Sequence, residues 1–166
     1  MANRIGSLAA GKVIQRITGP AGVNANLAAL TLGEPPAPVT LNAAQIRSQN
    51  VAADLAERGD PVVYPAANVY CEKIVNNLLE KFRTFSGTLQ MAVELRNSQD
   101  RLGGLQDTLE LNADAVMQVL DANRGDWGDG MYYSGGYEVT FSPVKRGGKN
   151  YLQTAKVTFE IGVSIS

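Results

Sequence analysis

The chain has 166 residues, one cysteine, no histidine and a formal net charge of −1, enough for one domain with a core and too little for two of ordinary size. Its content of 45 % hydrophobic and 19 % charged residues is that of a folded globular protein, and the near-neutral balance excludes a global basic field for gripping nucleic acid. The lack of histidine removes the commonest general base and zinc ligand, and the lone Cys71 permits neither an internal disulfide nor a cysteine metal site.

The opening Met1-Ala2-Asn3-Arg4 lacks the apolar run of a signal peptide, and no segment reaches the roughly 20 apolar residues that span a bilayer. A soluble protein made in a cytoplasm, with no membrane partner, is expected. Residues 7–18 can form a short helix on Leu8, Val13, Ile14 and Ile17, broken by Gly19-Pro20-Ala21-Gly22. A second short segment, 27–32, follows Asn24 and Asn26 and ends at Gly33. Glu34-Pro35-Pro36-Ala37-Pro38 is stiff and extended, because each proline disfavours helix at itself and before itself. Residues 1–40 therefore read as an extended N-terminal arm or loosely attached subregion, and 41–166 as a single domain.

Asn42 is a candidate N-cap for a helix bearing Ala44, Ser48, Val51 and Leu55 on one stripe, with Gly59 as its C′ residue. Asp60-Pro61 starts a turn, Val62-Val63-Tyr64 is a short extended piece, and a strand begins near Asn68 with Val69, Tyr70 and Cys71. In residues 88–96, Leu89, Met91, Val93 and Leu95 alternate with Gln90, Ala92, Glu94 and Arg96, which predicts a strand with one buried and one wetter face. A long helix follows over 100–123, with Leu102, Leu105, Leu109, Ala113, Val116 and Leu120 at spacings of three and four. Gly103-Gly104 moves its effective start towards Leu105.

Residues 124–130 form a glycine-punctuated loop. It ends in no Gly-Lys-Ser/Thr and lacks a calcium loop's ligand pattern, so it reads as a connection. Two alternating runs close the chain: Tyr137, Val139 and Phe141 in the first, and Val157, Phe159, Ile161, Val163 and Ile165 in the second. Gly147-Gly148 lies between them, which is the pattern of a long antiparallel hairpin. The fold class expected is α+β: a mostly antiparallel sheet with a long C-terminal hairpin, packed against two main helices.

No catalytic residue, metal site or cofactor is expected, and Cys71 reads as a packing residue. The candidate partner contacts are Lys145, Arg146 and Lys149 at the hairpin tip, together with Trp127. Three cations within five residues suit phosphate or an acidic protein surface; a solvated turn whose charges discourage wrong strand pairing is the other reading.

The order of these elements resembles the neck and tail-completion proteins of tailed bacteriophages, most of all the tail terminator family. The resemblance is carried by Val62-Val63-Tyr64-Pro65, by Val69-Tyr70-Cys71-Glu72-Lys73, by the strand from Gly87 to Arg96, by the helix ending at Asn123-Arg124-Gly125, and by the closing hairpin. It covers residues 42–166 and rests on patterning, because that family has no catalytic signature. It implies a non-enzymatic virion protein of the head–tail junction, assembled in the host cytoplasm as a homo-oligomeric, usually hexameric, ring. Its implied partners are the tail tube protein and a head-closure or connector protein, with DNA passing through the lumen unread. A head-closure or adaptor protein of the neck, and a non-viral monomeric protein-binding module, are the alternatives.

Overall fold

A computed structural model describes residues 4–30, 41–42, 45–52, 62–147 and 149–166. Among these residues, helices α1 (Ile5–Thr18), α2 (Val23–Leu30) and α3 (Leu105–Ala122) accompany eight strands: β1 (Ile46–Arg47), β2 (Ala66–Asn76), β3 (Phe85–Gln99), β4 (Gly125–Gly128), β5 (Met131–Tyr133), β6 (Glu138–Phe141), β7 (Lys145–Gly147) and β8 (Asn150–Ile165).

The alternation of β3 and β8 dictates the centre of the molecule. They pair antiparallel over their whole shared length, from Phe85 opposite Ile165 to Gln99 opposite Tyr151. β2 lies antiparallel on the other side of β3, with a bulge between Cys71 and Lys73. The sheet order is β1-β2-β3-β8-β5-β4, and β6 and β7 also pair with β8. Only β1 and β2 run parallel. The fold is α+β with a mostly antiparallel sheet, as the sequence predicts.

One sheet face supplies Val69, Leu89, Met91, Val93, Val157, Phe159 and Ile161 to the core. The two long helices α1 and α3 cover it, since each has a buried stripe at helical spacing: Ile5, Ala9, Val13 and Ile17 on α1, and Leu105, Leu109, Ala113, Val116 and Leu120 on α3. α3 begins at Leu105 behind Gly104, whose φ of 80° is left-handed. Side chains there strain the backbone, so the glycine pair sets the start.

Two expectations are corrected. Residues 5–30 are not an arm: α1 and α2 bury Ile5, Ala9, Ala10, Val13, Ile17, Val23 and Leu27 in the same core as the sheet. Small residues allow this close approach, and a Cβ on Gly6 would stand 3.0 Å from that of Cys71. The proline-rich segment falls in 31–40, outside the described residues.

The helix expected from Asn42 is also absent where it can be seen. Gln45 lies in a single turn, Ile46 and Arg47 pair with β2, and residues 48–52 have no regular structure; 43–44 and 53–61 lie outside the described residues. Local bonds defeat the weak stripe. The Asn42 N–H donates to Gln45 Oε1 (2.8 Å), the Gln45 amide donates to the Pro65 carbonyl (2.9 Å), and Ile46 is buried. Of the two main helices, α1 therefore stands in the place expected of this one.

The second face of β3 is the wetter one, as predicted, though not along its whole length. Gln90 and Glu94 are half-exposed, but Ala92 and Arg96 are buried. Arg96 donates to the Val51 carbonyl and to Glu94 (3.1 Å), so the strand's far end is covered by the chain around residue 51.

Candidate functional sites

The closing hairpin forms, but its tip is tighter than the composition suggests. Lys145 and Arg146 belong to β7, opposite Leu152 and Tyr151, and Gly147 pairs with Asn150. Successive strand residues face opposite ways, so Lys145 and Arg146 project to different sides while Lys149 sits at the turn. All three are exposed. They form a cationic end, not a single cationic face.

Trp127 occupies a different place from the one expected. The stretch 124–130 is the β4–β5 hairpin, turned at Asp129 and Gly130 with φ of 55° and 77°. This places the indole inward, 6 % exposed, at ring-centroid distances of 5.5 Å from Tyr133 and 6.4 Å from Phe159. Its Nε1–H donates to the Asn123 carbonyl (2.7 Å), and the Arg16 guanidinium lies 4.1 Å from the ring centre. Trp127 is a core residue that fastens α1 and α3 to the sheet, and it does not reach the surface where a partner would meet it.

The nearby carboxylates are also in use. Asp126 accepts the Gly128 N–H (2.8 Å), and Asp129 pairs with Lys12 (2.9 Å), which also donates to the Trp127 carbonyl (2.8 Å). No group of three metal-ligating side chains occurs among the described residues. Burial pushes the Cys71 thiol up, which disfavours the reactive thiolate. On the sheet face away from the helices, Glu72 pairs with Lys156 and Glu94 with Arg96. The Tyr70 hydroxyl donates to Glu94 (3.4 Å), and burial with that neighbouring carboxylate raises its pKa to about 12. No helix among the described residues is long and apolar enough to cross a membrane.

The prominent surface feature is one the sequence reading missed: the loop 77–84 between β2 and β3. Asn76 organises it, accepting from the Leu78 and Ser86 N–H groups (3.4 and 3.1 Å) and donating to the Thr84 carbonyl (3.3 Å). Ser86 Oγ accepts the Glu80 N–H (3.1 Å), Ser164 donates to the Glu80 carboxylate (2.9 Å), and the Thr84 N–H donates to the Ile165 carbonyl (2.9 Å). These bonds leave Leu78 59 %, Leu79 72 % and Phe82 101 % exposed. Both Leu78 and Phe82 hold left-handed backbone, at φ of 48° and 63°, which is strained for side chains of that size. The available signal was Leu78-Leu79 and Phe82 set among Glu80, Lys81 and Arg83 with neither strand nor helix period.

A groove of about 530 Å³ lies beside the outer edge of β2, between the start of α1 and residues 48–50, with Ile5, Cys71 and Ile74 in its lining. Ile74 is itself 53 % exposed. No protein-family model matches the chain, and no curated protein matches it.

Proposed function

We propose that this protein is a structural subunit of a tailed-bacteriophage head–tail junction, most similar to the tail terminator family, that works by closing into a ring. The ring, hexameric in that family, caps the tail tube and offers a docking surface to the head-closure or connector protein while DNA passes through its lumen. The loop 77–84 carries this reading. A side chain as large as Phe82, fully exposed on a backbone held by its own hydrogen bonds, costs the isolated subunit strain and solvation that burial against a neighbour would offset.

The cationic end at Lys145, Arg146 and Lys149 suits an acidic surface on a joining partner. Light scattering and negative-stain imaging, on the protein alone and with isolated tail tubes, test the ring; a protein that stays monomeric under both conditions and never joins particles overturns it. Replacing Lys145, Arg146 and Lys149 together with Ser leaves the fold intact and lowers the yield of joined particles. An unchanged yield returns those residues to the role of a solvated turn.

A further inference from the structure

We propose that the loop 77–84 of one copy seats on the outer stripe of helix α3 in the next copy, its apolar side chains covering Leu111 and Lys81 meeting the carboxylates around it. The inference rests on the ring reading and names its interface. α3 contains no lysine or arginine in 18 residues. Its exposed residues Asp107, Glu110, Asp114 and Gln118 follow helical spacing, with Leu111 half-buried among them. Positions 107, 110, 111, 114 and 118 fall on one face.

Among the described residues Asp107, Glu110 and Asp114 form no ion pair; Glu110 accepts only from Gln106 (3.0 Å). The loop supplies the complement. Lys81 in the loop and Lys73 on the adjoining strand β2 are exposed, and among the described residues neither has an ion pair, whereas Arg83 is taken by Glu80 (3.3 Å). A net charge of −1 thus hides an acidic stripe along α3, to which the unpaired Lys81 of the loop and Lys73 of β2 are complementary between copies.

The start of the α3 stripe lies far from the loop within one molecule. Gln106, in the first turn of α3, contacts Gln153 (3.2 Å), and Gln153 lies opposite Asn97 on β3. The loop enters β3 at Phe85, 12 residues away, or about 40 Å along an extended strand. A contact between two different patches of the same chain is heterologous, and a heterologous contact repeats until rotation closes it. The loop's backbone is fixed before contact, so little ordering entropy opposes docking.

The test uses the full chain, in analytical ultracentrifugation alone and in co-sedimentation with isolated tail tubes. Reversing Lys73 and Lys81 to Glu weakens assembly about tenfold or more. Reversing Asp107, Glu110 and Asp114 to Lys does the same, and combining the two sets restores assembly. All five positions are exposed, and unchanged thermal melting confirms that the variants fold.

In a Cys71→Ser background, Lys81→Cys with Glu110→Cys gives an oxidised ladder of multimers up to the ring number. Rings that survive both reversals and give no ladder overturn the interface and leave the ring reading standing. Rings that form normally but no longer bind tubes assign the loop to the tube protein, which also overturns it. A wild-type protein that is monomeric alone and on tubes overturns the ring reading itself, and this interface with it.

Discussion

Replacing Phe82 with glycine separates the demands of folding from those of assembly. Phe82 is 101 % exposed and its φ is 63°, so its ring contributes no burial to the subunit while its Cβ pays the left-handed penalty of about 1–2 kcal/mol. Glycine removes that penalty but adds about 0.5–1 kcal/mol of backbone entropy to be lost on folding. The net change lies between about 0 and 1.5 kcal/mol in favour of the variant. For a chain of 166 residues, at about 2–4 °C per kcal/mol, Tm should stay level or rise by up to about 6 °C. Assembly of the proposed ring should move the other way, because a phenyl ring buried at its contact would be worth about 1.5–3 kcal/mol, or roughly 10- to 150-fold in each contact's affinity. Differential scanning calorimetry and light scattering on the same sample read both quantities. A Tm lowered by several degrees, or assembly that is unimpaired, refutes the reasoning.

Trp127→Ala should cost about 3–5 kcal/mol in urea unfolding, because the indole joins Arg16, Tyr133 and Phe159; a loss below 1 kcal/mol would contradict its placement in the core. Gly87→Ala should destabilise by about 3 kcal/mol or more, because its Cβ would lie 1.8 Å from the Val75 carbonyl oxygen on β2; soluble yield and Tm report it. Burial raises Tyr70 and Tyr133 from the usual 10.0 to about 12. The unfolded chain therefore loses these protons first: their contribution to stability is complete below pH 10 and disappears as pH rises from 10 to 12. Denaturant titrations across that window should show the fall, and tyrosinate absorbance should show the two groups titrating late in the native protein.

Strict alternation made β3 and β8 readable from residues 88–96 and 151–165, and the pair Gly103-Gly104 placed the start of α3, because these signals are local and the tertiary fold agrees with them. Where small residues do the packing, composition is a poor guide. Ala9 and Ala10 of α1 are core residues yet look unremarkable in an alanine- and glycine-rich opening. The stripe of Ala44, Ser48 and Val51 resembles a helix, but the hydrogen bonds of Gln45 and the pairing of Ile46 override it. Trp127 reads as a surface loop residue unless Asp129-Gly130 is taken as a hairpin-turn pair, which makes 125–128 a strand whose alternation puts Trp127 on the inner side and Asp126 and Gly128 outside. The loop 77–84 was illegible in another sense, since nothing in Leu78, Leu79 or Phe82 announces that backbone bonds from Asn76 and Ser86 will hold them outside the core.

The ladder between β3 and β8 has a mechanical consequence. Fifteen consecutive pairings, from Phe85–Ile165 to Gln99–Tyr151, tie the loop end of the subunit to the cationic end without a hinge. Such a beam resists bending, because flexing it would have to break many backbone bonds at once. A push or twist delivered at Lys145 and Lys149 would therefore arrive at Phe82 as a displacement of the whole strut, which in the proposed ring would carry a load from one rim to the contact between subunits.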